Sequence, residues 1–113
     1  MLEALALCLP PPEVRQNCIV DGDTLWHGRE KIRLADIDAP ELAGKCDAER
    51  WLAIRARDAL LAMLQGGYHI QRTGTDRYGR TLARLTVDGR DVGTVLVSMG
   101  LARPWRGRRE GWC

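Results

Sequence analysis

Residues 21–41 have the sequence DGDTLWHGREKIRLADIDAPE, and this stretch decides the fold. Its apolar and polar residues alternate, which predicts one strand at 24–27 and a return strand at 31–37, joined by a tight turn at Gly28 and Arg29. The two strands form a hairpin. An acidic turn precedes it at 21–23, and a loop at 36–41 follows because Pro40 cannot continue a strand.

The segments around this hairpin predict a small single domain, residues 1–113. Prolines 10–12 make residues 1–16 an extended entry segment, which leads into a short strand at 18–20. Apolar residues at three- and four-residue spacing then predict a helix from about Asp47, its expected N-cap, to Leu64.

The second half continues the mainly β pattern. Strands are predicted at 68–73, 80–87 and 90–92, and a shorter helix at 92–99. Short hairpin-linked strands with two helices favour an α+β fold, a small closed barrel with both helices packed on it. Residues 17–102 form the motif-bearing core, and residues 103–113 form a basic tail.

Composition and charge are ordinary for one soluble domain of 113 residues, with 45% hydrophobic residues, 28% charged residues and a net charge of +2. No apolar run approaches the roughly 20 residues that span a bilayer, which argues against membrane insertion. The positive charge is mostly Arg and clusters at Arg103, Arg106, Arg108 and Arg109. Two accounts of the cluster stand at this point: a phosphate-attracting surface and a solvated, frayed C-terminus.

Four cysteines are spread along the chain, at positions 8, 18, 46 and 113. None of them forms a C-x-x-C pair, which disfavours a zinc site, whereas two disulfides in an exported protein would account for all four. Residues 1–9 are apolar but lack the basic start of a signal peptide. Either an export signal precedes this sequence or the cysteines are reduced and buried; we expect a secreted or periplasmic protein.

The carboxylates Asp21, Asp23, Asp38 and Glu41 all follow strand ends, and the hairpin brings them to the same end of the sheet. Converging carboxylates repel each other unless a cation compensates them, and oxygen-only ligands select Ca²⁺ or Mg²⁺. The alternative is that each Asp only forms a turn. The segment is not an EF-hand, because the required Gly and terminal Glu are absent.

Two arginines complete a phosphate-binding pattern. Arg33 lies on the return strand between the acidic groups, and Arg80 closes the turn 76–80. Two guanidinium groups facing a metal ion would clamp a phosphodiester and stabilise the charge that builds on its oxygens. The alternative is that both are surface salt-bridge partners.

Three segments, taken in order, resemble the signature motifs of the staphylococcal nuclease (thermonuclease) family. They are residues 19–24 (IVDGDT), 33–41 (RLADIDAPE) and 76–83 (DRYGRTLA). Residues 96–102 resemble the family's closing segment. The resemblance implies a five-stranded OB-fold barrel with two packed helices, here without the family's third, C-terminal helix.

The resemblance also implies roles for individual residues. Asp23, Asp38 and the backbone carbonyl of Ala39 would bind Ca²⁺, with Mg²⁺ as the alternative, and Asp21 would lie in the outer shell. Glu41 would hold or activate the attacking water, and Arg33 and Arg80 would bind the scissile phosphate. The substrate-binding residues would be Arg77, Tyr78 and Trp105. The loop 42–46 is shorter than the family's basic loop, so base preference is left open.

Within this frame, disulfides Cys8–Cys18 and Cys46–Cys113 would fasten the entry segment and the tail. The expected function is that of a monomeric, calcium-dependent endonuclease that hydrolyses DNA and RNA and leaves 3′-phosphates. One alternative is a non-catalytic nucleic-acid- or protein-binding module, which has no physical reason to keep the acids and both arginines together. Another is a calcium-stabilised structural domain, which would not need the arginines.

Overall fold

The computed structural model describes residues 5–10 and 13–113 of the chain. The extended conformation expected for residues 1–4, Pro11 and Pro12 lies outside these described residues. Nine strands and two helices follow one another in the described part. In chain order they are β1 (Ala6–Leu7), β2 (Cys18–Asp21), β3 (Thr24–His27), β4 (Glu30–Leu34), β5 (Ile37–Asp38), α1 (Asp47–Leu64), β6 (His69–Thr75), β7 (Thr81–Val87), β8 (Arg90–Asp91), α2 (Val92–Ser98) and β9 (Arg103–Pro104).

Seven strands form one sheet along the path β1-β2-β3-β4-β7-β6, with β8 pairing to β7. The pairs β1–β2 and β4–β7 are parallel, and the other pairs in this sheet are antiparallel. β5 and β9 form a separate antiparallel pair. The α+β class with two helices is confirmed; among the described residues the strand pairing is an open path and does not close into a ring.

The predicted hairpin is confirmed, with Leu25 of β3 opposite Ile32 of β4. Both side chains are fully buried against apolar residues of α1, β7 and α2. The helix contributes Ala56, Leu60 and Leu64, which share one face because they are spaced by four residues. Each large aliphatic side chain buried in this way contributes about 1.5–3 kcal/mol.

The start of α1 corrects one expectation. Asp47 is the first helical residue, and the N-cap is Cys46, whose backbone is extended and whose sulfur accepts a hydrogen bond from the Glu49 amide at 3.4 Å. A cysteine is not a typical N-cap residue, so the pattern pointed to the acidic residue beside it.

The loop expected at 36–41 also contains structure that the pattern did not predict. Ile37 and Asp38 form β5, which pairs with Arg103 and Pro104 of β9. The amide of Trp105 extends this contact by donating to the carbonyl of Asp36 at 2.8 Å. The tail is therefore docked at its start, and the account of a frayed C-terminus is wrong there.

Both disulfide pairings are confirmed, Cys8–Cys18 and Cys46–Cys113. The first joins the entry segment to β2, and the second joins the N-cap of α1 to the end of the tail. Two disulfides are typical of proteins that work outside the reducing cytosol. None of the helices in the described residues is long and apolar enough to cross a membrane.

Candidate active site

The acidic turn between β2 and β3 lies directly on helix α1. A Cβ atom on Gly22 would come within 2.7 Å of the Ala56 Cβ and 3.1 Å of the Ala39 Cβ. Only glycine allows so close an approach without a shift of the turn or the helix. The small size of Gly22 and Ala56 therefore sets how closely the turn with Asp21 and Asp23 approaches α1.

Asp23 links this turn to the loop after β5. Its carboxylate is buried, and its Oδ2 accepts a hydrogen bond from the Ala39 amide at 3.0 Å. Its Oδ1 accepts from the Thr24 hydroxyl at 2.9 Å. The carboxylate thus brings the first and second motifs of the sequence together, as the hairpin predicted.

Arg33 lies between Asp23 and Asp38. Its Nη1 is 3.2 Å from the Oδ2 of Asp23, and its Nη2 is 3.9 Å from the Oδ1 of Asp38. The same Nη1 donates to the carbonyls of Leu34 and Ile37 at 2.9 and 3.0 Å. The Arg33 side chain is only 14% exposed, so its ion pairs are mostly buried and the surface-salt-bridge account is wrong for this residue.

The packing of carboxylates shifts their proton affinities. Burial, followed by the nearby charge of Asp23, raises the pKa of Asp21 to about 7. Burial also raises the pKa of Asp38, and the positive charge of Arg109 partly opposes that rise. Raised pKa values in a group of acids mean that their charged forms lack full compensation from the protein.

Glu41 follows the second motif and lies at the edge of the site. Its side chain is 54% exposed, and its Oε1 is 3.3 Å from the Nη1 of Arg109. That guanidinium also lies 2.9 Å from the Oδ1 of Asp38. The Arg cluster of the tail, for which a phosphate-attracting surface and a solvated terminus were the two expectations, thus contacts two of the predicted site residues through Arg109.

Glu49 is a site-supporting residue that the sequence analysis missed. It is 5% exposed, accepts hydrogen bonds from the amides of Glu41 and Lys45 at 3.0 and 3.2 Å, and so fixes the loop that carries Glu41. The hydrogen bond from the Glu41 amide is the main cause of a lowered pKa at Glu49. An acidic residue in the first turn of a helix was the available signal, but it is equally typical of ordinary helix starts.

Arg80 reaches the site from the turn between β6 and β7. Its Nε is 2.7 Å from the Oδ2 of Asp76, so the predicted salt-bridge alternative describes part of its contacts. Among the described residues, this pair leaves the two terminal nitrogens of Arg80 without a protein partner. Burial tends to raise the pKa of Asp76, but hydrogen bonds from Arg80 and Tyr78 outweigh it and lower that pKa.

One cavity of about 630 Å³ brings the predicted phosphate and substrate residues together. Its lining includes Arg33, Arg80, Arg77, Tyr78 and Trp105. Tyr78 and Trp105 are 69% and 45% exposed, and the guanidinium groups of Arg77 and Arg80 lie 5.0 and 5.6 Å from the Tyr78 ring. The cavity therefore offers positive charge and accessible aromatic faces in one place.

The donor set partly fits a metal ion. Asp21, Asp23 and Asp38 offer the carboxylate oxygens that Ca²⁺ and Mg²⁺ prefer, and burial raises the pKa of Asp21 and of Asp38. Among residues 5–10 and 13–113, however, no three His, Cys, Asp or Glu side chains converge closely enough to enclose an ion. The carboxylate oxygens therefore have the chemistry of ligands for a hard cation, but the described side chains do not form a closed cage around one.

The chain is similar to two curated proteins and to one family model. The chain is 34% identical over 98 residues to the succinoglycan biosynthesis protein ExoI of Rhizobium meliloti (strain 1021), covering 80% of this chain and 51% of that protein. It is 34% identical over 102 residues to protein ParB of Escherichia coli, covering 78% of this chain and 54% of that protein. The chain thus spans about half the length of these relatives. Residues 31–110, which include Arg33, Asp38, Glu41 and Arg80 but not Asp21 or Asp23, match the family described as staphylococcal nuclease homologue, and the chain belongs to that family.

Proposed function

We propose that this chain is a calcium-dependent phosphodiesterase that hydrolyses DNA and RNA and leaves 3′-phosphates. The observation that carries the proposal is the placement of Arg33 and Arg80 on one cavity, with Arg33 paired to the buried carboxylates of Asp23 and Asp38. A surface that only binds nucleic acid does not need buried carboxylates beside its cations, because they weaken its attraction for phosphate.

The two arginines bind the scissile phosphate. Their guanidinium groups donate hydrogen bonds to the non-bridging oxygens and stabilise the negative charge that builds there during in-line attack. Arg33 is held for this task by the carbonyls of Leu34 and Ile37, so little reorganisation is needed when the phosphate arrives.

Asp23, Asp38 and the backbone carbonyl of Ala39 would hold the calcium ion, with Asp21 in its outer shell. When bound, the ion supplies Lewis-acid polarisation of the phosphate oxygens. Glu41 accepts the proton of the attacking water, whose oxygen forms a new bond to phosphorus while the bond from phosphorus to the 5′ oxygen breaks. The 5′ oxygen leaves as a hydroxyl group after it takes a proton from solvent. The exposed position of Glu41 allows it to reach such a water.

Substrate binding uses base faces and phosphates. Tyr78 and Trp105 offer exposed rings for stacking, and Arg77 adds positive charge beside Tyr78. These contacts do not distinguish ribose from deoxyribose, because stacking is tolerant of the nucleic acid that supplies the base. The two disulfides favour a secreted or periplasmic location for this activity. The chain acts as a monomer.

The test is cleavage of single-stranded DNA and RNA by the purified chain, with calcium and with a chelator. We expect cleavage that requires calcium and that falls about 10²–10³-fold in Arg80→Ala, the usual cost of removing one donor to transition-state charge. Asp38→Ala should lose calcium-dependent cleavage as well. The matched control is Arg57→Ala, which removes an arginine of α1 that pairs with Asp58, and neither of these two residues lines the cavity. Undiminished cleavage by Asp38→Ala or Arg80→Ala would rule out the assigned site.

One observation favours a second candidate, a non-catalytic module that binds nucleic acid. Arg109 pairs with Asp38 and Glu41, the residues assigned to metal binding and water activation. If the folded chain binds single-stranded DNA but cleaves it with neither calcium nor magnesium, this second candidate replaces the first.

A further inference from the structure

One guanidinium group of the tail contacts three carboxylates of the site. Arg109 lies 2.9 Å from the Oδ1 of Asp38, 3.3 Å from the Oε1 of Glu41 and 3.4 Å from the Oε2 of Glu49. Asp38 and Glu49 are almost completely buried, so their charges need a close partner. Arg109 supplies that partner from 71 residues further along the chain than Asp38.

A second tail residue occupies the other oxygen of Asp38. The indole N–H of Trp112 donates to the Oδ2 of Asp38 at 3.4 Å. Arg103 holds Trp112 in place, because its guanidinium stacks 3.8 Å above the Trp112 ring and its Nη1 donates to the Gly111 carbonyl at 2.6 Å. The Cys46–Cys113 disulfide then ties the end of the tail to the start of α1.

These contacts conflict with direct metal binding at Asp38. A metal ion would need one of the two Asp38 oxygens, and the tail donates to both of them. An ion on Oδ1 would also share that atom with a guanidinium group, which places two positive centres against one oxygen. Arg109 and a directly bound ion therefore compete for Asp38.

We propose that Arg109 is a built-in counter-ion of Asp38 and Glu41 that a metal ion must displace, so that this residue lowers the metal affinity of the site. This inference rests on the proposed metal-dependent function. In the absence of metal, Arg109 compensates the acids and holds Glu41 beside Asp38. Coupling between two binding equilibria is reciprocal. Bound metal therefore lowers the equilibrium constant for the contact between Arg109 and the acids by the same factor by which this contact lowers the affinity for metal.

The test is calorimetric titration of the oxidised, full chain with calcium chloride, without any substrate. We expect Arg109→Gln to bind Ca²⁺ more tightly than the unmodified chain, by about 5- to 150-fold, the usual range for coupling between two sites. Arg106→Gln is the matched control, because it removes the same charge from the same tail at a side chain that is 72% exposed and touches neither Asp38 nor Glu41. It should leave the affinity within about twofold of the unmodified chain.

Three outcomes would overturn the inference, and they are distinguishable. Calcium binding that is equal or weaker in Arg109→Gln overturns it and leaves the proposed function standing. Equal tightening in both variants shows only a net-charge effect. Folded chains that bind no calcium, with or without Arg109, overturn the metal site and this inference together.

A second measurement covers the case in which Arg109→Gln does not fold. In the unmodified chain, calcium should accelerate water exchange of the Trp112 indole proton, measured by NMR and assigned with Trp112→Phe, because displacement of the tail breaks its bond to Asp38. Unchanged exchange at saturating calcium would show that the tail stays in place and that the inference is wrong.

Discussion

The two sides of the site are built in different ways. On the hairpin side, Asp23 and Arg33 are mostly buried and are held by backbone amides and carbonyls of neighbouring strands. On the tail side, the Arg109 side chain is 42% exposed and is held by other side chains and by the Cys46–Cys113 disulfide. The hairpin side belongs to the core of the fold, whereas the tail side is a cover fastened over it.

This difference predicts where a substitution acts. A change on the hairpin side should cost stability and function together, because the same contacts serve both. A change on the tail side should alter metal affinity and should lower the free energy of unfolding by less. The following predictions test this separation.

The largest effect is expected for Arg33→Ala. It leaves the buried carboxylate of Asp23 without its charged partner, so we expect the free energy of unfolding to fall by about 3–5 kcal/mol in urea titrations. Arg109→Ala, the counterpart in the tail, should cost less, about 1–3 kcal/mol, because the buried carboxylates of Asp38 and Glu49 lose a donor but keep others. Equal losses from the two variants would contradict the division into core and cover.

Gly22→Ala tests the contact between the acidic turn and α1. The new methyl group would lie 2.7 Å from the Ala56 Cβ, and such overpacking costs about 1–3 kcal/mol. Gly66→Ala is the control, since a Cβ there meets no atom within 4 Å. Thermal unfolding that affects both variants equally would show that the turn can move away from the helix at little cost.

Glu30 tests whether charge at an exposed end of the hairpin contributes to stability in acid. Hydrogen bonds from Arg72 and Thr81 lower the pKa of Glu30 from its ordinary 4.5 to about 2. Between these two pH values the unfolded chain binds more protons, so the contribution is complete above pH 4.5 and is lost as the pH falls to about 2. Glu30→Gln should therefore flatten the dependence of stability on pH in this window, and Arg72→Gln should have the same effect. If neither variant changes the dependence of stability on pH in this window, the ion pair between Glu30 and Arg72 is not the cause of that dependence.

The smallest effect is expected for Trp112→Phe. It removes the indole donor to Asp38 but keeps an aromatic ring for Arg103 to stack on. Because that hydrogen bond is long, we expect a loss of only about 0.5 kcal/mol in urea titrations. If Trp112→Phe lowers the free energy of unfolding as much as Gly22→Ala does, Trp112 contributes to stability like a residue of the core and not like one of the tail.

The sequence predicted the hairpin side well and the tail side poorly, for physical reasons. Alternation in β3 and β4 is a local signal that the core enforces, and it placed Asp23, Arg33 and Asp38 at one end of the sheet. The ion pair from Arg109 to Asp38 bridges 71 positions and follows no periodic pattern. β5 and β9 have two residues each, too few for alternation to be visible, so the family resemblance predicted the disulfide that fastens the tail but no pattern predicted this strand pair.

The Cys46–Cys113 bridge spans 67 positions and makes most of the chain a closed covalent ring. The ring contains both helices and the exposed turn with Arg77, Tyr78 and Gly79. A protease that cuts after Arg77 would open the backbone but would not separate the two pieces. The nicked protein would migrate as one species on a denaturing gel until a thiol reductant was added, and only then as two fragments.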